Sequence, residues 1–188
     1  MIYSRAVSAH QPTCPCVICQ DHGDRDQFDA TDRNTIGHVE EHGWSVVQIP
    51  EDDLGPGWAF TVGLWHSHRQ PELAIFGLEI DTMKACLNTL GGQTADGWPP
   101  EPDHERSHII DGDPVLFKTI EPRWYKAFFG SAIAFYRRPP IPFIQVLWAD
   151  SHERFPTDSE CEPTARDRQP SLWLRPDQHP RGVWTQDL

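Results

Sequence analysis

Three of the five cysteines fall within six residues, as Cys14-Pro-Cys16-Val-Ile-Cys19, and His22 follows three positions later. Thiolates this dense in a reducing compartment point to a metal, most simply tetrahedral Zn²⁺ on Cys14, Cys16, Cys19 and either His22 or a remote ligand. His10 and Cys161 are the remote candidates. The spacing departs from a standard finger, since Cys-x-Cys makes a tight chelate and no second Cys-x-x-Cys follows; free or redox-active thiols are the alternative. Four protein ligands would make the metal structural, stapling an arm that cannot build its own core, whereas three would leave an open position.

A second set of reactive side chains is His42, Trp44, His66, His68, Arg69 and Glu72. His66 and His68 project to the same side if their segment is extended. With His42 they would make a three-imidazole metal site, or with Glu72 a general acid/base pair. Arg69 would clamp a carboxylate or phosphate, or simply pair with Glu72, and Trp44 and Trp65 would hold a flat ligand. The plainer alternative is a polar loop at a sheet edge. His104-Glu105-Arg106-Ser107-His108 matches the zinc-protease pattern, but it follows Pro99, Pro100 and Pro102 with no apolar positions to bury a helix, so a solvated loop is expected there.

What must gather the second set is a run of three apolar segments between Trp44 and Leu78: WSVVQIP, WAFTVGLW and ELAIFGL. In the middle one Trp58, Phe60, Val62 and Leu64 alternate with the small Ala59, Thr61 and Gly63, the period of a strand with two unlike faces. The large face fills a core and the small one admits a close neighbour. Gly77 repeats the device in the third segment. The links EDDLGPG and HSHRQP are too short for parallel crossovers, which implies consecutive antiparallel hairpins. That topology places the second set at one end of the sheet. It also puts the acidic loop Glu51-Asp52-Asp53 at the other end, roughly 25 Å away at about 3.4 Å per residue.

Upstream, Thr31 or Asp29 caps a helix that ends near His42 with Gly43 as its left-handed terminator. Downstream, Asp81 caps a helix carrying Met83, Leu87 and Leu90 and closed by Gly91-Gly92. A strand over Val115–Ile120, a buried helix opened by Pro122, and the strand PFIQVLWAD follow. The expected fold is α+β: an antiparallel central sheet with two to three packed helices and a Cys-rich N-terminal arm. The divisions are an arm at 1–28, a domain at 29–174 and a tail at 175–188.

A formal charge of −12, with no basic stripe, excludes nucleic acid and anionic membrane as favoured partners and leaves a protein or a small-molecule ligand. No apolar run approaches the roughly 20 residues that span a bilayer, and the N-terminus lacks the apolar core of a signal peptide, so a cytoplasmic protein is expected.

The set HGWSVV, GPGWAFTVGLW, PELAIFGL, CLNTL and QVLWADSHERFP, in this order, resembles a bacterial family, domain of unknown function 4262, over about residues 31–174. The residues carrying the resemblance are Gly43, Trp44, Thr61, Gly63, Leu64, Pro71, Glu72, Leu73, Asn88, Gln145 and Asp150. It implies a shared α+β fold and carries no catalytic residues across. By analogy, Thr61–Leu73 and the helix after it also look like immunity-type modules that bind a protein. The functional expectation is a binding or interaction domain with a metal-stapled arm. The alternative is an enzyme, a metal-assisted hydrolase or redox enzyme, using His66, His68 and Glu72 with His42, Trp44, Trp65 and Arg69 as ligand-binding residues. Flavin on the small-residue face, with Arg69 or Arg123 as anion contact, is a further option.

Overall fold

Asp29 opens the first helix, α1 (Ala30–His42), through a capping box: its side chain accepts from the Asp32 amide at 2.9 Å, and the Asp32 carboxylate accepts from the Asp29 amide at 3.2 Å. Gly43, at φ 91°, ends the helix and turns the chain into β1 (Ser45–Ile49). The computed structural model describes residues 14–110, 112–137 and 141–186.

β1 pairs antiparallel with β2 (Trp58–Val62), and β2 with β3 (Glu72–Phe76), so the two consecutive ribbons form as expected. The link between β2 and β3 differs. The strand stops at Val62, Gly63 takes φ 121°, and residues Leu64–His68 wind into a short helix, α2. After β3 comes α3 (Ile80–Ala95), where Glu79 rather than Asp81 is the cap, accepting from the Asp81 amide at 3.1 Å. The helix runs through Gly91 and Gly92 instead of stopping there. The hairpin β4 (Glu105–Ile110) and β5 (Asp113–Thr119) follows, then α4 (Tyr125–Phe128), α5 (Gly130–Tyr136), β6 (Phe143–Trp148) and α6 (Pro163–Arg166). The segment opened by Pro122 is thus buried as expected but broken at Phe129.

The strand order is β1-β2-β3-β6-β5-β4, antiparallel throughout except where β6 runs beside β3 in parallel. The fold is therefore mixed α+β on a mostly antiparallel sheet. α3 covers one face, on Ala59, Leu73, Ile75 and Val146. The other face carries Phe60, Val62, Phe76 and Phe143 beneath α1, α4, α5 and the arm. Phe129 stacks on Phe143 with ring centroids 4.1 Å apart, a contact worth about 0.5–1.5 kcal/mol beyond its buried area. Cys14, Cys16 and Val17 are buried in this same cluster, so the arm shares the core of the domain. Trp184 of the tail packs edge-on against Phe76, at 5.5 Å.

The small-residue face of β2 does not lie open. Ala59 and Thr61 are fully buried, and Gly63 is approached by the chain itself: a Cβ there would stand 2.8 Å from Val39 Cγ2 and 2.9 Å from the Gly43 carbonyl oxygen. At Gly77 the close neighbour is the Arg168 backbone, just beyond α6. These small residues admit packed protein, which leaves no open face there for the flavin option. Among the described residues, no helix is long and apolar enough to cross a membrane.

Candidate metal centre

The arm reaches the sheet end as a tight turn. The Gln20 amide donates to the Cys16 carbonyl at 3.0 Å, and the amides of Ile18 and Cys19 donate to the Cys16 sulfur. The Val17 amide is fixed on the carbonyl of Phe135 in α5 at 3.0 Å. Cys14 and Cys16 are buried and Cys19 is exposed. Opposite this turn α2 presents His66, whose Nδ1 lies 3.2 Å from the Cys16 sulfur and 3.4 Å from that of Cys19. The three sulfurs and one ring nitrogen all lie within 4.8 Å of one another. Ligands at about 2.3 Å for sulfur and about 2.0 Å for nitrogen, held tetrahedrally, would be about 3.5–3.8 Å apart, so four donors this close fit one small cation.

The electrostatics agree with that fit. Burial pushes the Cys16 thiol up to about 12, and only the amides of Cys19 and Ile18 oppose it. The Cys16 sulfur therefore needs a cation beside it to be held as a thiolate. Burial, and next the charge of Arg69, lower the pKa of His66, which keeps its imidazole in the neutral form that ligates metals.

The side chain that completes the group of possible ligands is His66 and not the expected His22, whose Nε2 lies 2.9 Å from the carbonyl of Pro15, outside the group. Cys161 is remote, with its sulfur 3.8 Å from the Glu162 carbonyl, and His10 falls outside the described residues. The helical geometry of α2 also undoes the pairing of His66 with His68. At about 100° per residue the two side chains diverge by about 200°. His68 turns toward Gly43, where its Nε2 is buried with no hydrogen-bond partner among the described residues. Arg69 ends α2 in the left-handed conformation, at φ 57°, and donates to the Trp65 carbonyl at 2.9 Å rather than to Glu72.

Glu72 is the largest correction, because it is fully buried and not at an open rim. Oε2 accepts from Thr61 Oγ1 at 2.6 Å, and Oε1 accepts from the amides of Gly63 and Trp65, each at 3.0 Å, and from the Tyr136 hydroxyl. Burial pushes its pKa up, while these four donors pull the other way. A carboxyl group so enclosed cannot work as an acid or base on a ligand with His66 or His68. Trp65 packs against the core. His42 and Trp44 line a separate groove of about 540 Å³ along the outer edge of β1, with His38, Gln48, Lys84 and Asn88. There Trp44 Nε1 donates to Asn88 Oδ1 at 3.1 Å.

Two other groups resolve plainly. His104 and His108 do not share a helical face: Glu105–Ile110 is strand β4 where a loop was expected. Asp150, His152 and Glu162 lie together, but the Asp150 carboxylate is occupied by the amides of His152, Arg154 and Glu162 and by Arg154 Nε. It is the anchor of a turn. Sequence reasoning missed Tyr136, which lies in an apolar helix, and it grouped His66 with His42, His68 and Glu72 where the structure groups it with the three cysteines.

No curated protein and no solved structure matches the chain. The family described as a domain of unknown function (DUF4262) matches residues 38–162, from the end of α1 to the turn anchored by Asp150, and the chain belongs to that family.

Proposed function

We propose that this protein is an α+β binding or interaction domain whose N-terminal arm is held to the sheet end by zinc on Cys14, Cys16, Cys19 and His66. The observation that carries the reading is the approach of His66 Nδ1 to within 3.4 Å of two of the three sulfurs. Four protein ligands complete a tetrahedral ion and leave no position for substrate, so the metal would be structural. Bound, it would supply the cross-link; the arm's own contribution is Val17 on Phe135, and an Arg137 to Asp24 ion pair at 2.5 Å.

The partner, a protein or a small molecule, would lie along β1. That strand is at the edge of the sheet, and its groove has walls from α1 and α3 and a floor that includes Trp44. The net charge of −12 disfavours nucleic acid and anionic membrane. Reduced thiols at the arm fit the cytoplasm. The enclosure of Glu72 counts against the acid/base form of the enzyme alternative.

The test is metal analysis of untagged protein as isolated, with thiol titration. One equivalent of zinc and three thiols protected until a chelator is added is the expected result. Absence of stoichiometric zinc or iron, with all three thiols freely titratable, removes the staple.

A further inference from the structure

α2 is an unusual platform for a metal ligand. It has only five residues, and its N-cap, Gly63, has no side chain to satisfy the free amides of the first turn. Those amides end instead on two buried side chains from distant elements. The Gly63 and Trp65 amides donate to Glu72 Oε1, and the Gly63 and His66 amides donate to the Tyr136 hydroxyl, at 3.0 and 3.3 Å. The hydroxyl in turn donates to Glu72 Oε1. Thr61 Oγ1 closes the network by donating to Oε2 and accepting from the Leu73 amide at 2.9 Å.

Tyr136 is the last residue of α5, and the residue before it serves the opposite half of the centre. The Phe135 carbonyl holds the Val17 amide between Cys16 and Cys19, and the Phe135 ring meets the His66 imidazole edge-on at 6.5 Å. One turn of α5 therefore touches both the thiol turn and the backbone of the imidazole ligand.

We infer that Tyr136 and Glu72 are positioning residues for the metal centre: the buried pair sets the orientation of α2, and so selects His66 as the fourth ligand. The inference rests on the proposed zinc site. Neither residue is among the possible ligands: Glu72 acts through the amides of Gly63 and Trp65, and Tyr136 through those of Gly63 and His66. Groups that orient a ligand from behind typically change metal affinity by about 10–100-fold.

The test is a double-mutant cycle on the full chain with zinc and with Co²⁺ as spectroscopic probe. Tyr136→Phe keeps the ring and removes the hydroxyl. The expected result is a 10–100-fold weaker zinc affinity, with visible Co²⁺ bands moved toward those of His66→Ala. In the His66→Ala background, Tyr136→Phe should then change affinity by less than about two-fold, because its effect passes through His66. Wild-type affinity and spectrum in folded Tyr136→Phe overturn the inference, and so does an equal loss in both backgrounds. Should Tyr136→Phe not fold, Glu72→Gln, which keeps size and one acceptor oxygen, enters the same cycle. If the wild-type protein binds neither zinc nor Co²⁺, the zinc site itself fails; if it binds and the cycle is additive, only the positioning role does.

Discussion

The Nδ1 of His66 lies 3.2 Å from the sulfur of Cys16, fifty residues away in sequence, while His22, six residues from Cys16, faces the Pro15 carbonyl. A cation held at that contact cross-links the arm to the turn between β2 and β3. His66→Ala should therefore lower zinc affinity by more than the roughly 100-fold upper range of outer-shell changes, and His22→Ala by less than about two-fold. Competition with a chromophoric chelator measures both. Equal losses in the two variants would reject His66 as the fourth ligand.

Such a cross-link would also govern the arm's integrity. Removing metal with a strong chelator should expose the segment from Cys14 to Phe28 to proteolysis while leaving the sheet intact, since the arm would then be held by non-covalent contacts alone: its packing on the core, Val17 on Phe135 and the Arg137–Asp24 pair. Limited digestion followed by mass spectrometry reads the cut sites. Unchanged protection of the arm after chelation would count against a stapling role.

Two adjacent glycines of α3 make opposite predictions. A Cβ on Gly91 would lie 2.6 Å from Trp44 Cε2, whereas Gly92 has nothing within 4 Å. Gly91→Ala should cost about 1–3 kcal/mol through overpacking against the indole. Gly92→Ala, in a helix interior, should stabilise by about 0.5–1 kcal/mol. Urea denaturation of the two variants decides it, and a neutral Gly91→Ala would mean that Trp44 moves aside at little cost.

Asp150 carries a prediction at low pH. Its burial would raise its pKa, but the amides of Arg154, Glu162 and His152 and the Arg154 guanidinium together hold it well below the ordinary carboxylate range. A depressed folded-state pKa gives stability that is present above the unfolded value of 3.8 and lost as pH falls toward the folded one. Asp150→Asn should lower the melting temperature at pH 7 and lose less of it than wild type does below pH 3.8. Parallel acid unfolding curves for the two proteins would reject the anchor role.

Much of the sheet was readable because its signal is local. The alternation of Trp58, Phe60 and Val62 with Ala59 and Thr61 marks the strand, and a seven-residue link excludes a parallel crossover. What escaped depends on long-range pairing. α2 has one turn and no amphipathic period, so nothing in Leu-Trp-His-Ser-His separates it from a strand continuing past Val62. Glu72 opens β3 and reads as a polar residue at a strand end; only Thr61 and Tyr136, from other elements, show that its carboxyl group lies inward. The small residues of β2 were correctly read as sites of close approach, yet spacing could not tell a ligand from the backbone of Gly43 and Trp44.

His179 ties the tail to the domain in a pH-dependent way. Its Nε2 accepts from the Ser171 amide at 2.9 Å, its Nδ1 donates to the Pro180 carbonyl at 2.6 Å, and its ring meets Trp124 at 5.2 Å. Protonating Nε2 would set two donors against each other, and burial lowers the pKa below 6.5, outweighing the Pro180 carbonyl that raises it. For a histidine with a depressed folded-state pKa, the native state favours the neutral ring. The stabilisation is present above pH 6.5 and is lost as pH falls from there through the folded value. The melting temperature of the wild type should therefore drop more between pH 7.5 and pH 5.5 than that of His179→Leu, whose tail contact has no proton to gain. Tryptophan fluorescence, with Trp124 beside the ring, should report the same transition. Equal pH dependence in the two proteins would show that the tail stays docked whatever the charge on His179.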